Sequence, residues 1–465
     1  MLFNSYAFLL YFPVVVLVLF LLPHRLQWAW LLGASAFFYA CWSAPHLGLI
    51  AVVVLAAYVC GRLLEGQTDD KKRKLILTAA LTVCLGQLVL FKYVDFAVGS
   101  VSTWLGQGWA GLKLVLPVGI SFYTFHAMSY AIDVYRGRFP VERHLGHFAL
   151  FVLYFPLLLA GPIERPGNLL PQIKAKVVFE PSHVVVGLRF ILLGMFKKVA
   201  VADVLSPYVS KVFASPDQYG GPVLACAALM FAFQIYCDFS GYSDIAVGCA
   251  RIMGVDLTKN FDRPYFSSSV SEFWRRWHVS LSTWFRDYVY VPLGGNRGTM
   301  LGLFVAIVTT FLLSGVWHGA NWTFVVWGLV HGLAVFLTRT GHRARQASSS
   351  SLKVLGVIAT FGFVTLAWVL FRAESLADAA VAYRGLGSGW GHLGSVLHVQ
   401  APFPTTALAG IAFLLTLQTL GKSDSLEGFV GTLPRAGRWI LYYVLIFWTV
   451  WFGAYGGDAF IYFQF

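Results

Sequence analysis

TMLGLFVAIVTTFLLSGVWHGANWTFVVWGLVHGLAVFLT (residues 299–338) decides the architecture, because it runs without a single Asp, Glu, Lys or Arg. A helix needs about 20 apolar residues to cross the hydrocarbon core of a bilayer. The stretch therefore supplies two crossings, 299–317 and 322–338, and Gly319 and Asn321 break one run from the next. Working outward, similar runs separated by charged or Pro/Gly punctuation occur at 5–22, 28–43, 47–63, 75–95, 113–134, 184–213, 222–250, 353–371, 402–421 and 436–455. A shorter run at 148–160 ends in AGPIERPG and is expected to be re-entrant, since non-helical backbone is tolerated where protein or a cavity surrounds it. The expected fold is all-α and polytopic, with about twelve transmembrane helices in one integral-membrane domain over 1–465.

Composition agrees. The 465-residue chain is 58% hydrophobic and only 12% charged, with mean hydropathy +0.69. A soluble domain is nearer a quarter charged. The first residues, MLFNSYAFLLYFPVVVLVLFLLP, carry no Lys or Arg before the apolar run and no small-residue cleavage site, and are expected to form a retained helix. Net charge is +13. No basic tail or soluble recognition module accompanies it, which argues against nucleic-acid binding. Cys41, Cys60, Cys84, Cys226, Cys237 and Cys249 lie in apolar segments without a C-x-x-C pair and are expected to be buried small hydrophobes, with no metal site.

Basic residues set the orientation. Arg25, the Lys71–Lys74 cluster, Arg136, Arg138 and Arg143 follow the first, third and fifth runs, whereas 44–46, 96–112 and 214–221 are nearly free of Lys and Arg. Alternation places the basic loops, including 339–345, in the cytoplasm and both termini outside. Arg372 and Arg384 fit the scheme less well. No internal repeat is apparent, which argues against a transporter built from inverted halves.

Chemistry concentrates in residues 272–332. EFWRRWHVSLSTWFRDYVYVPLGGNRG (272–298) packs four Arg, two acids and His278 among aromatics. On a helical reading of 272–290, Trp274, Trp277, Leu281, Trp284 and Tyr288 share one face, as in an interfacial helix with tryptophans at headgroup level. His318 lies beside the Gly319–Asn321 break, where a helix end inside a membrane lines a cavity. His331 and His126 read as structural or ambiguous. Asp238 and Asp244, in YCDFSGYSDIA (236–246), read either as an ion site or as bundle-holding groups bonded to Ser, Tyr and Arg.

These two segments, with MLFNSYAF, LPVGISFYTF, IDVYRG, AGPIERP, QIYCDFSGYSDIA and FIYFQF, resemble the membrane-bound O-acyltransferase family, in its bacterial alginate O-acetyltransferase branch. The resemblance runs in order along essentially the whole chain. It lacks the long soluble insertion that some alginate enzymes carry before their last span. The resemblance implies a helical wall around a central tunnel in the bacterial inner membrane, surrounded by lipid. It also implies acetyl-CoA as the acyl donor with no bound cofactor, and transfer toward an exported polysaccharide of alginate or cellulose type. Peptidoglycan O-acetylation and teichoic-acid D-alanylation are the family alternatives. His318 takes the position of the family's invariant histidine and His278 that of its second one. His318 is assigned as general base and His278 as its hydrogen-bonding partner, with the reverse assignment open. Arg275, Arg276 and Asn321 are candidates for binding the donor. Tyr462 is a candidate acyl relay to an extracytoplasmic SGNH-type partner working with the polysaccharide export machinery.

The orientation is testable by cysteine accessibility. Cysteines placed at 71–74 and 339–345 should react only from the cytoplasmic side, and external labelling of the 71–74 loop would reverse the scheme.

Overall fold

Backbone N–H and C=O groups have no water to bond to in a hydrocarbon layer, so a spanning chain must satisfy them within helices or a closed barrel. This chain uses helices. The computed structural model describes residues 1–342, 350–421, 425–455 and 460–461. Every regular element among them is helical. Six helices are long and apolar enough to cross a membrane: Leu47–Leu64, Asp70–Trp104, Gly221–Ile252, Met300–His318, Trp322–Thr340 and Ser351–Arg372. Tyr6–Leu21 and Thr405–Gly421 are shorter apolar helices. All eight fall on expected runs.

Of the other four expected runs, two form continuous helices and two are interrupted. His24–Ser43 and Arg435–Phe452 form as helices. The run at 113–134 is helical only over Ile120–Tyr135, which begins at Gly119 in the left-handed region (φ 76°). The run at 184–213 is three pieces: Pro181–Met195, a π-helical stretch Phe196–Ala202, and Asp203–Phe213. At 148–160 the helix Leu145–Leu153 gives way at Tyr154 to one short turn, Phe155–Leu158, and these residues are buried.

Contacts divide the chain into two compact units, a finer grain than the single domain expected over 1–465. The first comprises Met1–Ile191 and Ile245–Thr258, the second Leu192–Asp244 and Lys259–Phe465. The first unit is built around Ile120–Tyr135, several of whose polar groups are bonded inward. Ser129 Oγ donates to the Phe125 carbonyl (2.7 Å), and Tyr130 Oη accepts from the Glu142 amide (2.9 Å). His126 Nε2 accepts from the Glu164 amide (3.1 Å), the role of a structural histidine.

The second unit holds 272–332. Its Met300–His318 and Trp322–His342 helices pack face to face through glycines. A Cβ on Gly315 would run into the Phe324 carbonyl, and one on Gly328 into the Phe311 carbonyl. Small residues at such crossings let backbones approach closely, which is how helices associate where lipid is as apolar as leucine. Thr299 Oγ1 caps the first of these helices by accepting from the Gly302 amide (3.1 Å).

The crossing yields a stability prediction. Gly328→Val should lower unfolding stability in detergent by about 1–3 kcal/mol, the usual cost of overpacking. Gly362→Ala, whose Cβ would meet open space, should leave it unchanged.

Candidate active site

The expected continuous helix over 272–290 does not form. Val270–Arg276 and Val279–Phe285 are separate helices, followed by a π turn at Arg286–Tyr290. The break falls on His278, which adopts left-handed backbone angles (φ 43°, ψ 54°). A non-glycine residue there is strained, and such strain clusters at functional sites. The segment before the helices takes over the backbone groups that the break releases. The Asp262 amide donates to the Arg276 carbonyl (2.9 Å), and the Val279 amide to the Asn260 carbonyl (2.9 Å). The expected interfacial stripe is also corrected. Trp274, Trp277, Leu281 and Trp284 are buried within the unit, Trp277 being 1% exposed, because the break turns them onto its other helices instead of toward headgroups.

One side chain organises the turn. Asn260 Oδ1 accepts from the Ser280 amide (3.3 Å) and from Ser280 Oγ (3.0 Å), and lies 3.0 Å from His278 Nδ1. Asn260 Nδ2 donates to Ser243 Oγ (3.1 Å). The Ser280 amide can only donate, so the atom facing it is the carboxamide oxygen. That oxygen can only accept, so His278 Nδ1 carries the proton and Nε2 keeps its lone pair. Burial pushes the imidazole well below its ordinary pKa, because charge is disfavoured away from water. Neutral His278 thus presents a basic nitrogen in a fixed tautomer.

His318 is the last residue of Met300–His318 and is 4% exposed. Its ring meets Trp317, Trp327 and Phe371 edge-on at 5.0–5.3 Å. Gly319 continues in extended backbone; a Cβ there would strike the Phe324 ring. Trp317 also faces the His278 ring at 6.1 Å, so one indole borders both imidazoles.

Beside this pair lies a cleft of about 810 Å³ lined from five helical elements. Arg275, Arg286 and Arg339 line it, with Asn296, Tyr290 and Ser314. Arg339 is held in place: it donates to Tyr290 Oη (3.0 Å) and to Asn296 Oδ1, and Tyr290 donates to the same oxygen (2.6 Å). Asn296 sits in the glycine turn, where Gly294, Gly295 and Gly298 all have positive φ. Ser314 is four residues before His318 on the same helix face, and Val279, also in the lining, follows His278. Three guanidinium groups reach the cleft, of which Arg286 also pairs with Asp287 (2.8 Å); the planar fork of such groups matches phosphate oxygens.

The remaining expected residues separate. Arg275 reaches the cleft, whereas Arg276 pairs with Glu272 (2.6 Å). Asn321 is engaged as a cap: Oδ1 accepts from the Thr323 amide (3.0 Å) and Nδ2 donates to the Glu374 carbonyl (2.7 Å). His331 Nδ1 accepts from Trp274 Nε1 (3.2 Å) inside an aromatic cluster, in keeping with a structural role. Tyr462 lies outside the described residues. Asp244 and Asp238 pair with Lys197 and Lys198 at 2.7 and 2.6 Å, which is the bundle-holding reading with lysines in place of the expected arginines. Sequence reading missed Asn260, Arg286 and Arg339. Arg286 lay in the quoted segment, but Asn260 gave no periodic or motif signal.

The chain is similar to known proteins over most of its length. Residues 142–377 match the membrane-bound O-acyltransferase family. A probable alginate O-acetylase of Azotobacter vinelandii is 40% identical over 83% of this chain and 78% of its own length. One from Pseudomonas putida is 38% identical over 91% and 88%. A peptidoglycan O-acetyltransferase of Helicobacter pylori is 33% identical over 77% and 73%.

If Asn260 holds the His278 tautomer, Asn260→Ala should lower kcat about tenfold or more while the donor KM stays within about twofold. Ser243→Ala, one bond further out, should cost much less. Equal kinetics for Asn260→Ala and the unmodified enzyme would remove Asn260 from the site.

Proposed function

This chain belongs to the membrane-bound O-acyltransferase family, and from that premise we propose that it passes an acetyl group from cytoplasmic acetyl-CoA across the bacterial inner membrane for O-acetylation of an exported polysaccharide. The observation that carries the reading is the pair of buried histidines bordering Trp317, beside a cleft lined by three arginines. The relatives named as probable alginate O-acetylases supply the substrate class. A tunnel bounded by about twelve crossings would let the acetyl group pass while charged coenzyme A stays behind.

Transfer from a thioester to a hydroxyl needs removal of the hydroxyl proton and stabilisation of the oxyanion that forms. We assign His318 as the base. The cleft arginines bind the donor phosphates and thereby fix the thioester near the imidazoles, since orientation alone can lower such a barrier by several kcal/mol. His278, oriented by Asn260, holds the reacting groups in register. One observation favours exchanging the two roles: an imidazole whose Nδ1 proton is bound by an orienting group is the usual arrangement of a base. The acetyl group then reaches the polymer through an extracytoplasmic SGNH-type partner and the export machinery, with Tyr462 as relay. The peptidoglycan relative supports a second polymer class, a cell-wall glycan.

Proteoliposomes given labelled acetyl-CoA and acceptor polymer test the activity. His318→Ala should abolish transfer with membrane protein level unchanged, His278→Ala should be severely impaired, and His331→Ala should lose only a few-fold. Substitution by Gln separates the roles, because an amide keeps a hydrogen bond but cannot take a proton. His278→Gln should retain measurable transfer and His318→Gln none; the opposite pattern exchanges the assignments. Near-normal transfer by both Gln variants would sink the mechanism.

The cleft makes its own prediction. Arg275→Ala, Arg286→Ala and Arg339→Ala should each raise the acetyl-CoA KM about tenfold, the value of one charged hydrogen bond, while Arg276→Ala should change it little.

A further inference from the structure

The π-helical stretch Phe196–Ala202 carries two buried lysines. Lys198 Nζ bonds Asp203 Oδ1 at 2.7 Å and Asp238 Oδ1 at 2.6 Å, and all three side chains are less than a tenth exposed. Two carboxylates facing one ammonium leave a surplus negative charge in this cluster, and a buried surplus requires further donors. One donor comes from a distant part of the chain. The Ile461 amide donates to Asp238 Oδ2 at 2.8 Å, so both oxygens of Asp238 are used. Hydrogen bonds to an ionised acceptor are about twice as strong as neutral ones.

The bond seats Phe460 and Ile461, which are 2% and 6% exposed, inside the second unit. Phe460 packs on Phe239 (centroids 5.6 Å) and on Tyr242 (5.1 Å). Phe239 in turn meets the His278 ring edge-on at 4.5 Å, with the planes perpendicular. Phe460 and Ile461 thus form part of the wall behind the histidine.

We infer that Asp238 is a positioning residue for acyl transfer, acting through the Phe460–Ile461 segment that it seats behind Phe239 and His278. The inference rests on the reading of His278 as a participant in transfer. Lys198, itself bonded to Asp203, holds the Asp238 carboxylate, the carboxylate holds the Ile461 amide, and Phe460 sets the position of Phe239 against the imidazole. Loss of the seat loosens His278 without touching the donor cleft, so the turnover step suffers and donor binding does not.

The test uses the full chain in lipid nanodiscs, with Asp238→Ala and, as a variant that leaves the ion cluster intact, Phe460→Ala. Lys198 keeps Asp203 in the first variant, so the unit retains a neutral buried pair. Hydrogen exchange of the peptide containing residues 460–461 reports seating independently of activity. Asp238→Ala should lose about 100-fold of its protection there, the expected effect of opening a buried segment. Both variants should lose about tenfold in kcat with the acetyl-CoA KM within about twofold. Unchanged exchange in Asp238→Ala would overturn the seating, and lost protection with unchanged kcat would overturn its role in transfer. Failure of the underlying reading would look different: His278→Ala would remain active while exchange at 460–461 still depended on Asp238.

Discussion

One carboxamide oxygen collects three donors, and the turn between the two short helices of 270–285 is arranged around it. Asn260 Oδ1 meets the Ser280 amide, the Ser280 hydroxyl and His278 Nδ1 within 3.3 Å. Satisfying those donors requires the chain to turn at His278, which it does in the left-handed region at a cost of order 1–3 kcal/mol. The turn divides what would be one amphipathic helix into two. It buries the tryptophans that a straight helix would present to lipid. It also fixes which imidazole nitrogen holds the proton, a detail that decides whether the ring accepts or donates toward a substrate.

The low dielectric surrounding these groups explains why the polar residues occur in closed sets. An isolated charge at membrane depth is costly, so lysines and aspartates in the helices come paired: Lys197 with Asp244, Lys198 with Asp203 and Asp238. Arginines that face the cleft are a different population. Arg275 is exposed, Arg286 pairs with its neighbour Asp287 (2.8 Å), and Arg339 is braced by Tyr290 and Asn296. Charge that holds helices together is thus separate from the guanidinium groups that line the cleft.

Much of this was legible in the sequence because hydrophobic length is a strong signal. Runs such as 299–317 and 353–371 returned as Met300–His318 and Ser351–Arg372, and the Gly319–Asn321 break was read where it occurs. Periodicity misled at 272–290. The spacing of Trp274, Trp277, Leu281 and Trp284 fits a helix, but tertiary bonds to residues 260–262 override local preference at His278. The buried lysines were overlooked because an apolar window averages over two charges. Asn260 was invisible for another reason: its role depends on a partner 18 residues away, and a lone Asn in a loop carries no pattern.

The central claim is that His278 is held neutral with its proton on Nδ1 and its lone pair on Nε2. Nitrogen-15 NMR of histidine-labelled protein in nanodiscs reads this directly, with the His278 signals identified by their absence in His278→Gln. The account predicts a neutral ring with protonated Nδ1 and a lone pair on Nε2, unchanged from about pH 8 down through the ordinary histidine range near 6.5. A proton on Nε2 in the neutral ring, or an imidazolium already formed at pH 7, would contradict it.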